Sequence, residues 1–241
     1  MRAFTHSRLG KIVLAGGAVL AIGASSLGFT AYTYFKPTAA ASAPIEAVAL
    51  STPSLQTTAA QEATTLYAIQ SKASQASFVI NEVLRGSPKT VVGTTDQVAG
   101  EIALDPSNIS TAQFGTILID ARTLTTDDDH RNEAIKNQIL NTDQNEYISF
   151  TPTSVSGLPD SLDVGEIYTF DVTGDLTIEG VTHPATFEGT LTRNEDGSLQ
   201  GNASATINYA DWGLSIPSVP IVASVDNQVA LKLDFTAVAT A

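Results

Sequence analysis

The densest run of side chains able to do chemistry is Asp127-Asp128-Asp129-His130, with Arg131, Glu133 and Lys136 close behind. Carboxylates and imidazole bind divalent cations. The spacing here matches neither an EF-hand loop nor a His-x-x-x-His pair. Three acids in a row suit a helix N-terminus instead, where the dipole favours negative charge. Arg131 and Lys136 then have acids beside them, in surface pairs worth about 0–1 kcal/mol. His183 stands between the turn at Glu179-Gly180 and Pro184, where it can bond backbone or face a ligand. The motifs Gly-x-Ser-x-Gly, His-Glu-x-x-His and Gly-x-x-x-x-Gly-Lys are all absent. We therefore expect no catalytic residue, no metal site and no cofactor.

Composition narrows the classes further. The 241 residues include no Cys, which excludes disulfides, thiolate zinc sites and a Cys-borne lipid anchor. Only three His are present, too few for a His-rich metal site. Lys and Arg number 12 against 25 Asp and Glu, a net charge of −13. Nucleic-acid binding needs clustered cations, so that partner is not expected.

The elements that position these residues are mostly strands. In Tyr168–Ile178, Tyr168, Phe170, Val172, Leu176 and Ile178 share one face and Thr or Asp the other. After the turn, Ala185, Phe187, Gly189 and Leu191 repeat the pattern. Asn194-Glu195-Asp196-Gly197 marks a hairpin, since Asn, Asp and Gly tolerate positive φ. Leu199–Tyr209 follows, with Ala203, Ala205, Ile207 and Tyr209 in phase. Val225–Val238 closes the chain with Val229, Leu231, Leu233 and Phe235 in phase. Earlier strands are expected at Leu66–Gln70, Ala76–Glu82, Val98–Leu104, Phe114–Asp120 and Ile148–Val155. One short helix is expected over Asp127–Asn141. The prolines of Ile216–Ile221 mark a loop near an opening, with the sole Trp, Trp212, at a barrel end or against ligand. An all-β, antiparallel domain of about 8–9 strands follows, either a sandwich or a closed barrel. Periodicity does not distinguish a filled core from a cavity.

Three regions follow in order. Residues 1–36 contain 24 uncharged residues, Ile12–Phe35, preceded by Arg2, Arg8 and Lys11. As a helix this stretch would rise about 36 Å, enough for a bilayer core of roughly 30 Å. It reads as a transmembrane anchor with a cytoplasmic N-terminus, or as a signal segment cut near Ala41-Ser42-Ala43. Either exports the rest. Residues 37–64 are rich in Ala, Thr, Ser and Pro and are expected to be a disordered tether. Residues 65–241 form the globular domain.

Five segments of that domain, in order, resemble the YceI-like family of lipid- or polyisoprenoid-binding domains. They are Leu66-Tyr67-Ala68-Ile69 with Ser74–Val83; Asp120–Thr126 with His130–Glu133 and Ile135-Lys136; Glu146–Phe150; Gly174–Pro184; and Tyr209–Leu214 with Val225–Val229. Gly174-Asp175-Leu176-Thr177-Ile178-Glu179-Gly180-Val181-Thr182 is similar to the family's most specific signature. Asn132 stands where Asp is usual, and Tyr147-Ile148 stands where the family more often has Tyr-Pro.

The resemblance implies a lipocalin-like antiparallel β-barrel with one helix, enclosing a quinone or polyprenyl chain as partner. Burial would hold such a chain at about 0.8 kcal/mol per CH₂. The lining would come from Phe78, Phe114, Phe150, Phe170, Val172, Leu176, Phe187, Ile207, Tyr209, Leu231, Leu233 and Phe235. Arg131, Lys136 and His183 are the possible headgroup contacts. The implied setting is a bacterial cell envelope, with the barrel periplasmic or extracellular. The alternative is an envelope scaffold or adhesion domain with a filled core and no small-molecule ligand.

Overall fold

The structure, a computed structural model, describes residues 36–45 and 64–240. Contacts divide the chain into Met1–Pro37 and Thr38–Ala241, and the fold below is that of the second unit. The expected anchor or signal, Ile12–Phe35, lies outside the described residues, as does 46–63 of the expected tether. No helix among the described residues is long and apolar enough to cross a membrane.

The architecture is all-β with one short helix. Strands β1 (Thr65–Ile69) and β2 (Gln75–Leu84) run end to end across a 3-10 turn at Ser71–Ala73. Next come β3 (Ser87–Thr95), β4 (Val98–Ala99) and β5 (Glu101–Asp105), then β6 (Asn108–Phe114) and β7 (Ile117–Asp120). After the helix follow β8 (Tyr147–Ser156), β9 (Ile167–Ile178), β10 (Val181–Arg193), β11 (Leu199–Asn208), β12 (Val222–Val225) and β13 (Gln228–Ala239). All pairings between these strands are antiparallel. They pass from β2 to β3 and β1 to β5, from β4 to β7 and β5 to β6, then through β8, β9, β10 and β11 to β13. β13 pairs back with β1 and β2. The sheet is thus a curled, barrel-like wall, and β12 extends it beside β2.

Local chemistry explains the connections. Glu179 and Gly180 both have positive φ, 49° and 75°, the two-residue turn whose twist matches a hairpin. Gly197 has φ 81° in the β10–β11 turn, where the Asp196 carboxylate accepts from the Ser198 amide and hydroxyl.

Several expectations are corrected. Helix α1 covers only Asp129–Ala134 and continues as a π-helical turn over Ile135–Ile139. Asp128 caps it, its carboxylate accepting the Arg131 amide at 2.9 Å. In the π turn the Leu140 amide reaches the Ile135 carbonyl, and Ile135, Ile139 and Leu140 pack on the sheet together. Tyr209, expected as a strand residue, opens a 3-10 turn over Tyr209–Trp212. Strand β3 and most of β6 were not expected at all. Within the expected tether, residues 40 and 42 are hydrogen-bonded to the domain. The Ser42 amide and hydroxyl donate to Glu146 at 2.6 and 2.7 Å, and Arg122 donates to Ala40 and Ser42.

Candidate ligand-binding interior

Alternation sends every second side chain of the wall inward, and those residues form two apolar clusters. One includes Phe150, Val172, Leu176, Phe187, Ile207 and Trp212, with Phe78, Tyr209 and Leu231 packed against it. The other includes Tyr67, Leu104, Leu191, Leu199 and Phe235, with Phe114 and Leu233 against it. Phe170 and Ile117 pack on both clusters. The twelve candidate lining side chains all belong to these two clusters or pack against them, Phe78, Phe114 and Phe150 among them, on strands whose inward face the sequence leaves open. Phe150 and Phe187 meet edge to face, ring centroids 4.9 Å apart.

A small, partly open cavity of about 20 Å³ lies at the second cluster. Ile102, Phe114, Leu158, Phe170, Leu191 and Phe235 line it, and none of these side chains has a polar atom. Its volume is room for about one water molecule, whereas drug-sized ligand sites span roughly 300–1,000 Å³. Ile102, Leu158 and Leu191 were not expected to line it. Leu191 was legible, being in phase with Phe187. Leu158 was not, because it lies in the loop after Gly157.

The polar groups gather at the other end. Arg131 ion-pairs with Asp127 at 2.6 Å and with Glu82 at 3.0 Å, and Asp127 also holds Lys89 at 2.7 Å. This network ties α1 to the β2–β3 hairpin. Glu82 was missed, although it is an acid in phase with Phe78 and Ile80. Lys136 is half-buried. Burial lowers its pKa, against the opposing charge of Asp120. Burial likewise raises the pKa of Asp120, which accepts the Arg122 amide at 2.8 Å. His183 is exposed and sits edge-on to Trp212, centroids 5.4 Å apart. Trp212 is buried and its Nε1 donates to the Leu176 carbonyl at 3.0 Å. Leu176 is the cross-strand partner of His183, so the signature segment and Trp212 close this end together.

Arg122 and Glu146 form a second polar centre that was not expected. Their side chains are 2.8 Å apart, and Arg122 also donates to the Thr142 and Asp143 carbonyls. Burial pushes the Glu146 carboxyl up. The Ser42 amide and hydroxyl and the Arg122 charge outweigh this, and its pKa is lowered overall. Both residues belong to segments quoted above for the family resemblance, but periodicity gave them no role.

A curled antiparallel sheet around two apolar inner clusters, with one short helix beside it, defines this class of β domain. The YceI-like domain profile matches residues 67–237, and the chain belongs to that family. A UPF0312 protein of Pseudomonas fluorescens (strain SBW25) is 39% identical over 69 residues, covering 27% of this chain and 35% of that one. The match thus spans about a third of that relative's length. A polyisoprenoid binding domain from Saccharophagus degradans, described as implicated in plant cell wall breakdown, has a similar fold (TM-score 0.57, 18% identity, 72% of this chain and 98% of that one). So does BcnA of Burkholderia cenocepacia (TM-score 0.55, 17% identity, 70% and 99%).

Proposed function

We propose that this domain encloses the chain of an isoprenoid lipid, of quinone or polyprenyl type, and carries, stores or shields it near a membrane outside the cytoplasm. The observation that carries the reading is the pair of apolar inner clusters, joined through Phe170 and Ile117, in a chain of the YceI-like family. The Saccharophagus degradans domain of like fold is named for polyisoprenoid binding, which supports the ligand class. Binding of this kind needs burial and no reactive group. Lys136 and His183, at the helix end, are available for a headgroup, whereas Arg131 is already held by Asp127 and Glu82. The uncharged stretch Ile12–Phe35 behind three cations supports export and tethering.

The small cavity favours a second reading, a scaffold or adhesion domain with a filled core. Native mass spectrometry of the full-length chain, followed by solvent extraction, separates the two. The lipid reading expects a one-to-one adduct of isoprenoid mass that extraction removes. A bare mass that stays bare after incubation with quinones and polyprenyl phosphates selects the scaffold.

A further inference from the structure

Four interior phenylalanine rings lie over glycines of the neighbouring strand. A Cβ added at Gly93 would stand 2.1 Å from the Phe78 ring, and one at Gly201 would stand 2.7 Å from Phe235. At Gly174 and Gly189 the rings of Phe150 and Phe170 would lie 2.8 and 3.0 Å away. Carbon atoms in contact sit at roughly 3.5–4.0 Å, so no other residue fits these positions unless something moves. Phe78–Gly93, Phe170–Gly189 and Phe235–Gly201 are direct cross-strand partners. Each ring therefore occupies the wall volume where the partner's own side chain would be. The ring lies against the partner's backbone, and its bulk sets how far the wall projects inward. Phe170 and Phe235 also line the cavity.

We propose that these phenylalanine–glycine pairs set the bore of the interior and so select a single slender, flexible hydrocarbon chain over a fused-ring lipid. This rests on the lipid-binding reading above and adds what determines its specificity. A flexible chain enters a narrow space one carbon at a time, whereas a fused ring system needs its full width at once. The bore is adjustable in both directions. At Gly93 the three nearest atoms are all Phe78 ring atoms, so Gly93→Ala swings the ring inward and narrows the space. At Gly174, Gly189 and Gly201 a backbone oxygen lies 2.1–2.5 Å from the added carbon, so alanine there strains the sheet itself. Phe170→Leu with Phe235→Leu widens the bore and leaves the glycines alone.

The test uses the full-length chain with all-trans polyprenols of graded length and with cholesterol as the fused-ring probe. Bound lipid is read by native mass spectrometry, and folding by circular dichroism. The wild-type chain should take up polyprenol and exclude cholesterol. Changes of a methylene or more in an apolar site shift selection about tenfold or more. Gly93→Ala should lose polyprenol uptake by about that factor, and the double leucine variant should gain cholesterol by a similar one. If Gly93→Ala fails to fold, the leucine pair decides. Uptake by wild type with an unchanged polyprenol-to-cholesterol ratio in the folded variants overturns this proposal and leaves the lipid function standing. No polyprenol uptake by wild type overturns both.

Discussion

The Arg122 guanidinium donates four hydrogen bonds, to Thr142, Asp143, Ala40 and Ser42, and pairs with Glu146, while only 11% of its side chain is exposed. Removing one partner of a buried pair leaves the other charge uncompensated, at a cost of about 3–5 kcal/mol. Arg122→Met should lower the unfolding free energy by an amount in that range at pH 7, read from urea denaturation as the midpoint shift times the slope. Because the Glu146 pKa is lowered in the folded chain, its pairing stabilises above the ordinary glutamate value of about 4.3 and fades as pH falls through the folded value. The variant has lost that contribution already. Its deficit against wild type should therefore hold from pH 7 down to about pH 4.3 and shrink below it. A deficit independent of pH would assign the effect to the lost carbonyl contacts. Nothing in the sequence periodicity marks Arg122, since its partners lie 20 and more residues away and two of them, Ala40 and Ser42, lie in a segment that reads as tether.

At the scale of elements, the hairpin β9–β10 turns on Glu179 and Gly180, both with positive φ. The left-handed conformation costs an ordinary L-residue about 1–2 kcal/mol, and Asn tolerates it better. Glu179 is also partly desolvated, which raises its pKa. Glu179→Asn should stabilise the chain by about 1 kcal/mol, seen as a melting temperature roughly 2–4 °C higher. An unchanged or lower melting temperature would mean that the Glu179 side chain makes up for its backbone cost. This hairpin was legible because both of its strands alternate cleanly. Strand β3 was not, and the reason is physical. Its buried positions are Val91, Gly93 and Thr95, and the apolar group over Gly93 is the Phe78 ring of the neighbouring strand. Where one strand supplies the side chain for another, the period-2 signal disappears from the second. The helix was legible as an element but not in length, because its last turn changes to π spacing to bring Ile135 and Leu140 onto the sheet.

For the whole molecule, the question is whether the interior is finished without a ligand. Phe170 and Ile117 pack on both apolar clusters, and a small cavity of about 20 Å³ beside Phe170 is lined by hydrocarbon side chains. Unfilled apolar space forfeits dispersion contacts on every side. A chain ligand restores them and binds only the folded state, so it must stabilise that state by mass action. At a free concentration 100 times the dissociation constant the gain is about 2.7 kcal/mol, or roughly 5–10 °C in melting temperature for a domain of this size. Calorimetry with polyprenol should show such an upward shift, growing with ligand concentration. Unfolding of the complex should also carry a larger heat-capacity increase, because the released chain exposes its own apolar surface. Binding at the outer wall is a weaker source of stabilisation, since the outward residues of β9 and β10 are mostly Thr, Asp and Glu. Phe170→Leu with Phe235→Leu separates the two locations: interior binding makes the shift depend on those rings, and surface binding leaves it the same. A melting temperature that does not move at any polyprenol concentration would make the two clusters a complete core, with the residual cavity an ordinary packing defect.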